Sequence, residues 1–188
     1  EIYFPVLAEL KKRGTPFSGV LYAGLMVDRT GAPSVVEFNC RLGDPETQVV
    51  LPLLQGGFTD ACARIAEGRA PDCLPTGPGA AVTTVLAARG YPDRPERGAP
   101  IALPPDLPPG VMVFHAGTNR DDSNRLRVAG GRVLNVTGVA SSFSEAQRLS
   151  REAAELALFV RCNKDHALEL FCHGTRLREK PPRPGRGG

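Results

Sequence analysis

Residues Glu37–Gln48 read EFNCRLGDPETQ and link a strand-like run to a helix start. The preceding residues are β-branched and apolar, which is typical of a strand. Asp44-Pro45-Glu46 predicts a helix start: Asp44 can cap, proline suits the first helical position, and a glutamate favours the positive end of the helix dipole. The stretch is therefore predicted to be a strand-to-helix connection that carries five candidate functional side chains, Glu37, Asn39, Arg41, Asp44 and Glu46.

Strand periodicity predicts how these side chains are arranged. Alternate residues of a strand share a face, so Glu37, Asn39 and, if the extended backbone continues, Arg41 point the same way. Val36 and Phe38 are then expected to face a core. A carboxylate and an amide oxygen are hard ligands that suit Mg²⁺, and an arginine offers a planar fork of donors to phosphate or carboxylate.

Gly43 is expected to let the backbone turn sharply and to bring Asp44 and Glu46 close to the same place. The simpler interpretation stays open at this point. Glu37 and Arg41 could form a surface ion pair worth little, and Asp44 and Glu46 could only cap a helix.

The flanking sequence predicts one unit of mixed structure. Gly19–Val27 is predicted to be a buried strand that forms an antiparallel hairpin with Ser34–Asn39. A helix is expected to end before Gly14. The helix that starts at Asp44-Pro45-Glu46 is expected to continue over Thr47–Leu54 with a disturbance at Pro52, and a third helix to cover Phe58–Gly68, capped by Thr59 or Asp60. Arg69–Gly79 is rich in proline and glycine and reads as a linker.

The second half predicts a smaller, β-rich unit. Its expected strands are Ala80–Ala88, Val111–His115, Leu126–Val128 and Arg132–Val139, the last entered through a Gly130-Gly131 turn. A helix capped by Ser142 or Ser144 follows, with an apolar face that includes Leu149 and Val160. His115 ends a strand and is expected to be a hydrogen-bonded structural residue, while Tyr22 and Tyr91 are expected to pack.

Composition excludes several classes of protein. The chain has 188 residues, 41% of them hydrophobic and 23% charged, which is ordinary for a globular protein. No 18-residue uncharged apolar run occurs, so no membrane partner is expected. The five cysteines are odd in number and form no CxxC pair, so a cytoplasmic protein with reduced thiols is predicted and Cys40 is expected in the core.

The net positive charge arises from the end of the chain. From Arg161 onward there are seven basic and three acidic residues, so this tail carries +4 and the rest of the chain −1. Because the body is not basic, a nucleic-acid partner is not expected. The tail ends in PPRPGRGG and is predicted to be disordered.

The sequence resembles the glycinamide ribonucleotide synthetase family (phosphoribosylamine–glycine ligases) of the ATP-grasp superfamily. The resemblance rests on GVLYAGLMV, VVEFNCRLGDPETQVVLPLL, AVTTVLAARGYP, VFHAGT and GGRVLNVTG, in that order. It implies an α+β fold: the C-terminal part of an ATP-grasp domain, built of antiparallel strands and helices, then a small β-rich C-terminal domain. The expected boundaries are 1–68 for the ATP-grasp part, 69–79 for a linker, 80–160 for the C-terminal domain and 161–188 for a divergent basic tail.

The same resemblance implies roles for individual residues. Glu37 and Asn39 match metal ligands for Mg²⁺ or Mn²⁺, and Arg41 matches an arginine that steadies the transferring phosphate. Gly43, Asp44 and Glu46 would contact glycine or phosphoribosylamine. The implied reaction joins these two substrates in purine biosynthesis with ATP, through glycyl phosphate.

Both ends of the chain depart from the family pattern. The chain opens at Glu1 with a helix already under way, and the earlier ATP-binding regions are missing, so the chain alone is expected to be inactive and to need the N-terminal half of the same enzyme. A G-K-x-Y-R-x-D-I-G-like ending is also replaced after Leu158, which suggests a frameshift or a real basic extension. The alternatives are another ATP-grasp ligase or carboxylase, or a non-catalytic product of a split or decayed gene.

Overall fold

A computed structural model describes residues 2–159 and 169–176. Its contacts divide the chain into two compact units, one made of Glu1–Gly43 and Leu54–Pro75, the other of Asp44–Leu53 and Thr76–Gly188. The second boundary, at Pro75, falls inside the predicted linker. The first differs from the sequence prediction, because Asp44–Leu53 belongs with the second unit rather than with the strand that precedes it.

The first unit contains two helices and a hairpin. Its elements are α1 (Tyr3–Lys12), β1 (Tyr22–Val27), β2 (Pro33–Asn39) and α3 (Phe58–Ala66). The predicted end of the opening helix is confirmed, since Gly14 has a φ of 76° and Thr15 N–H donates to the carbonyl of Leu10. The predicted cap of α3 is wrong: its N-cap is Gly57, whose φ of 77° is the left-handed conformation that suits glycine.

The predicted antiparallel hairpin is confirmed. Tyr22 pairs with Asn39 and Gly24 with Glu37, but Leu25 pairs with Val35, so a bulge at Val36 interrupts the register. The turn is organised by Asp28, whose Oδ1 accepts from Thr30 Oγ1, Thr30 N and Ala32 N. These bonds, first of all the Thr30 hydroxyl, lower the pKa of the Asp28 carboxyl.

The apolar side of this hairpin is not a buried core within the described residues. Val36 is 67% exposed and Phe38 39%, so the expectation that they face a core is wrong here. Met26 and Val27 on β1 are similarly exposed, at 65% and 59%, which corrects the prediction that this strand is buried. An apolar strand pair left open in this way is a surface for further packing.

The second unit is built on a four-stranded antiparallel sheet of order β4-β7-β3-β8. Its elements are α2 (Thr47–Val50), a 3₁₀ turn (Leu51–Leu53), β3 (Ala80–Ala87), β4 (Val111–His115), β5 (Thr118–Arg120), β6 (Leu126–Val128), β7 (Arg132–Ala140), α4 (Phe143–Phe159) and β8 (Glu169–Arg176). The predicted disturbance at Pro52 is confirmed as the change from α-helix to 3₁₀ turn. All eight residues of β3 are buried, because it lies between two strands and is covered on both faces.

The two faces of the sheet are covered by different elements. Ala81 packs with Val49 and Leu53, whereas its neighbour Val82 packs with Ala146 of α4. Neighbouring residues of a strand point to opposite faces, so α4 and the α2 segment lie on opposite sides of the sheet. At Gly138 of β7 the helix comes so near that a Cβ would lie 2.3 Å from the carbonyl oxygen of Ala146.

A buried hydroxyl network ties α4 to the sheet. Ser150 is fully buried; its Oγ donates to the carbonyl of Val136 at 2.8 Å and lies 2.6 Å from Thr84 Oγ1. A hydroxyl has one proton, so Thr84 is the donor of the second bond. The cap of this helix is as predicted: Ser142 Oγ accepts from Glu145 N at 3.2 Å.

The small hairpin β5–β6 is held by Asp121. Its carboxylate accepts from the backbone N–H of Ser123 and Arg125 and pairs with the Arg127 side chain at 2.8 Å. These contacts, led by the backbone bond from Arg125, lower the pKa of Asp121 to about 2. Strand β5 was not expected from the sequence.

One strand lies in the segment predicted to be a disordered tail. Residues 169–176 form β8, which pairs antiparallel with β3 from Ala87↔Glu169 to Ala80↔Arg176. The prediction of disorder is wrong for these eight residues, and the rest of the tail lies outside the described residues. No helix in 2–159 or 169–176 is long and apolar enough to cross a membrane.

Candidate functional site

The predicted pairing of Glu37 and Asn39 on one face of β2 is confirmed. Asn39 Nδ2 donates to Glu37 Oε1 at 3.0 Å, so the two polar ends lie side by side. Opposite them on β1 is Gly24, where a Cβ would come within 3.0 Å of Glu37 Cγ. The absence of a side chain at Gly24 therefore makes room for the glutamate.

The donor set of this pair fits a hard divalent cation. Glu37 offers carboxylate oxygens, and turning the Asn39 amide by half a turn would place its oxygen, rather than its NH₂, beside them. Among residues 2–159 and 169–176, no group of three or more His, Cys, Asp or Glu side chains could hold a metal. The pair would thus supply two ligands, and Mg²⁺ commonly completes its shell with water and substrate phosphate.

Arg41 does not follow the predicted alternation. Strand β2 ends at Asn39, and the chain bends over Cys40 and Arg41, so the strand periodicity does not reach the arginine. Arg41 is exposed, and its Nη1 donates to the carbonyl of Leu42 at 2.8 Å. Cys40 is exposed as well, which corrects the expectation that it packs in a core.

The residues after the bend belong to the second unit and take other positions than predicted. Asp44 does not cap a helix: α2 begins at Thr47, and its N-cap is Glu46, which makes no side-chain cap bond. The Asp44 carboxylate instead accepts from Gln48 Nε2 at 2.8 Å and pairs with Arg132 Nη2 at 3.0 Å. Gly43 is buried and Glu46 is partly buried.

Two other predictions are resolved by contacts. The expected hydrogen bond of His115 is confirmed, because its Nδ1 lies 3.0 Å from Oγ1 of Thr118, the first residue of β5. Tyr91 packs as expected: its ring fills the place of a side chain at Gly131, where a Cβ would lie 2.4 Å from Tyr91 Cδ2.

Sequence reasoning missed Gly24 and Arg132. Gly24 stands in an apolar strand, where a glycine often marks a bulge or a close approach, so a signal was present. Arg132 contacts Asp44, which lies 88 positions earlier in the sequence, and no local pattern could have indicated that contact.

The hairpin places the carboxylate of Glu37 beside the amide of Asn39, and an arginine follows two residues later, as the resemblance to ATP-grasp proteins implied. The family model of the phosphoribosylglycinamide synthetase ATP-grasp (A) domain matches residues 1–47, and that of the C domain of the same enzyme matches residues 81–166. Together the two matches cover more than half of the chain. The chain belongs to the phosphoribosylglycinamide synthetase family, within which it corresponds to the end of the ATP-grasp domain and the C domain.

Individual relatives agree with this assignment. Phosphoribosylamine–glycine ligase from Chlorobaculum tepidum is 49% identical over 150 residues, which are 78% of this chain and 35% of that protein. The enzyme of the same name from Vibrio parahaemolyticus is 41% identical over 157 residues, 82% of this chain and 36% of its own length. The chain thus spans about a third of the length of the curated relatives it matches.

Solved structures show the same fold. The crystal structure of phosphoribosylamine–glycine ligase from Thermotoga maritima has a TM-score of 0.71 and 38% identity, covering 85% of this chain and 38% of that one. The biotin carboxylase domain of Hydrogenobacter thermophilus 2-oxoglutarate carboxylase, solved with MgADP, ADP and bicarbonate, has a TM-score of 0.54 at 16% identity, covering 90% of this chain and 35% of that one. At that identity the likeness concerns the α+β ATP-grasp fold alone.

Proposed function

We propose that this chain is part of a ligase that joins glycine to 5-phosphoribosylamine at the expense of ATP, in de novo purine biosynthesis in the cytoplasm. The observation that carries the proposal is the Glu37–Asn39 pair, with its two polar ends 3.0 Å apart, inside the stretch EFNCRLGDPETQ of the matched ATP-grasp region. Against the simpler interpretation, a surface ion pair between Glu37 and Arg41, Glu37 contacts Asn39 and Arg41 donates to the carbonyl of Leu42.

The reaction divides into two transfers. A carboxylate oxygen of glycine attacks the γ-phosphorus of ATP, and ADP leaves; the amine of phosphoribosylamine then attacks the acyl carbon of glycyl phosphate, and inorganic phosphate leaves. Such phosphoryl transfer depends on positioning and charge neutralisation more than on covalent chemistry from the protein. A bound Mg²⁺ or Mn²⁺ would neutralise the charge of the phosphate oxygens.

The residues of the hairpin would serve the first transfer. Glu37 and Asn39 would hold the cation, because they are adjacent hard oxygen donors on one strand face. Arg41 would bind the transferring phosphate, since its exposed guanidinium can offer several donors to phosphate oxygens.

Gly43 and Glu46 are the candidates for contact with glycine or phosphoribosylamine. A carboxylate such as Glu46 suits the amine of either substrate, and a backbone amide such as that of Gly43 suits an oxygen. Asp44, the third residue predicted for this role, accepts from Gln48 and pairs with Arg132 through its carboxylate.

The remainder of the enzyme is the expected partner, and its contact surface would be the exposed apolar face of the β1–β2 hairpin. Val36 and Phe38, on the face opposite Glu37 and Asn39, are 67% and 39% exposed, together about one whole side chain, whose burial would stabilise an interface by roughly 2 kcal/mol. Neither a nucleic acid nor a membrane is expected as a partner.

The test is reconstitution. The part of the Chlorobaculum tepidum enzyme that this chain does not match is expressed together with this chain, and ADP release is followed. The proposal requires ADP release that depends on both glycine and phosphoribosylamine. This release should be lost in the Glu37→Gln variant and absent when this chain is assayed alone.

The rival functions give different results. ADP release that depends on bicarbonate rather than on glycine and phosphoribosylamine would indicate a carboxylase. Soluble, associated subunits without substrate-dependent release would indicate a non-catalytic product. Ser34→Ala is the matched control, since Ser34 is an exposed polar residue of the same hairpin and is not one of the apolar residues of the proposed contact surface.

A further inference from the structure

Arg132, the first residue of β7, holds the backbone and the side chain of Asp44 at once. Its Nη1 donates to the Asp44 carbonyl oxygen at 2.8 Å, and its Nη2 lies 3.0 Å from Asp44 Oδ2. The planar guanidinium matches this two-point contact, which a lysine ammonium could not reproduce in full. The contact joins residues 88 positions apart within one compact unit.

The rest of the short segment Asp44–Gln48 is tied to the same sheet. Gln48 Nε2 donates to the other carboxylate oxygen of Asp44 at 2.8 Å, and the Gln48 carbonyl accepts from Thr137 Oγ1 of β7 at 3.0 Å. Thr137 is fully buried and lies 2.9 Å from Thr83 Oγ1, so this second tie reaches the centre of the sheet. Glu46 lies between the two tied residues.

Every oxygen of Asp44 therefore has a protein partner: the carbonyl and Oδ2 meet Arg132, and Oδ1 meets Gln48. A carboxylate occupied in this way has little capacity left for a substrate amine. We propose that Asp44 is the anchor of the Asp44–Gln48 segment rather than a substrate ligand, and that Arg132 is a positioning residue that fixes this segment for substrate binding; the second part rests on the proposed ligase function.

An ordinary ion pair at the same exposure would contribute little, because both side chains are 39% exposed. Two features separate this contact from such a pair. Arg132 also binds the backbone, so it restrains the path of the chain, and the Thr137 bond restrains the other end of the segment.

Stability measurements test the anchor without reference to catalysis. In the full chain, Asp44→Asn, Arg132→Met and the double variant are unfolded in urea and form a double-mutant cycle. We expect a coupling of about fivefold in the unfolding equilibrium constant, which corresponds to about 1 kcal/mol. Additive effects would overturn the anchor.

Kinetics in the reconstituted ligase test the positioning role. Arg132→Met should raise the KM for glycine or phosphoribosylamine about tenfold and leave the KM for ATP unchanged, since the restrained segment is proposed to serve only the former. Arg132→Lys should recover part of the loss. A lower active fraction or lower kcat at unchanged KM would mean a purely structural role and would overturn the proposal.

A second cycle on KM decides the role of Asp44. If Asp44 acts through Arg132, adding Asp44→Asn to Arg132→Met leaves the KM unchanged. A further rise in KM in the double variant would mean that Asp44 is a substrate ligand. Arg64→Met is the matched control, because Arg64 also contacts a carbonyl, of Ala70, and a carboxylate, of Asp72, but far along the chain from this segment. An inactive wild-type ligase would refute the proposed function, while the urea cycle would still decide the anchor.

Discussion

Replacing Gly24 by alanine should displace the Glu37 carboxylate without unfolding the hairpin. The added Cβ would lie 3.0 Å from Glu37 Cγ and 3.8 Å from Glu37 Oε1. Carbon atoms pack comfortably at about 3.5–4.0 Å, so the glutamate must move by a few tenths of an ångström or more. Ligand distances at a metal site are held within about 0.2 Å, so the shift exceeds what the site tolerates.

The expected result separates binding from stability. The cost to folding should be below about 1 kcal/mol, because the Glu37 side chain is exposed and can yield, and alanine is better than glycine in a strand by roughly 0.5–1 kcal/mol. The affinity for Mn²⁺ should fall about tenfold, the lower end of what changes beside metal ligands cost. The Asn39–Glu37 hydrogen bond of 3.0 Å would be strained in the same movement.

The assay is a Mn²⁺ titration of the reconstituted enzyme in the presence of ATP, followed by electron paramagnetic resonance, beside a urea unfolding curve of each variant. Ser34→Ala is the control for an exposed change in the same hairpin, and Glu37→Gln is the reference for loss of the ligand. If Gly24→Ala binds Mn²⁺ like the wild type while Glu37→Gln does not, the steric reasoning is wrong. If neither variant loses affinity, Glu37 is not a ligand.

Three further predictions concern stability and solubility. Ser150→Ala should lower the free energy of unfolding by about 1–3 kcal/mol in urea titrations, because it leaves the buried Thr84 hydroxyl without its acceptor; an unchanged midpoint would contradict this. The Asp121 carboxyl, followed by NMR, should titrate near pH 2. Its contribution to the stability of the β5–β6 hairpin is then fully present above its ordinary pKa of 3.8 and is lost as the pH falls toward about 2. A titration midpoint near 3.8 would show that the contacts do not form in solution. The double variant Met26→Lys, Val36→Lys should show less self-association in light scattering, with little change in the unfolding midpoint, because both side chains are more than half exposed. Unchanged aggregation would mean that the chain self-associates through a surface other than this hairpin.

Local patterns were reliable where one stretch of chain decides its own conformation. The hairpin predicted from Gly19–Val27 and Ser34–Asn39, the helix end at Gly14, and a helix cap at Ser142 or Ser144 could be predicted, since they depend on residues a few positions apart. The pairing of Glu37 and Asn39 also followed from the strand period of two.

Local patterns failed where a distant partner changes the outcome. Asp44-Pro45-Glu46 looks like a helix start, but Arg132 and Gln48 take the Asp44 carboxylate and the helix begins only at Thr47. Val36 and Phe38 look like core residues, yet the part of the chain that the structure describes leaves them exposed. An apolar side chain gains free energy when it is buried, but its apolar character does not indicate which surface will cover it.

The family and the hairpin that bears the candidate metal ligands could be predicted from the sequence, because motif order and side-chain periodicity are properties of neighbouring residues. The strand order β4-β7-β3-β8, the assignment of Asp44–Leu53 to the second unit, and the contact between Asp44 and Arg132 became visible only in the folded chain. These depend on contacts between residues far apart in the chain, which form only when many segments pack at once, and no local pattern carries that information.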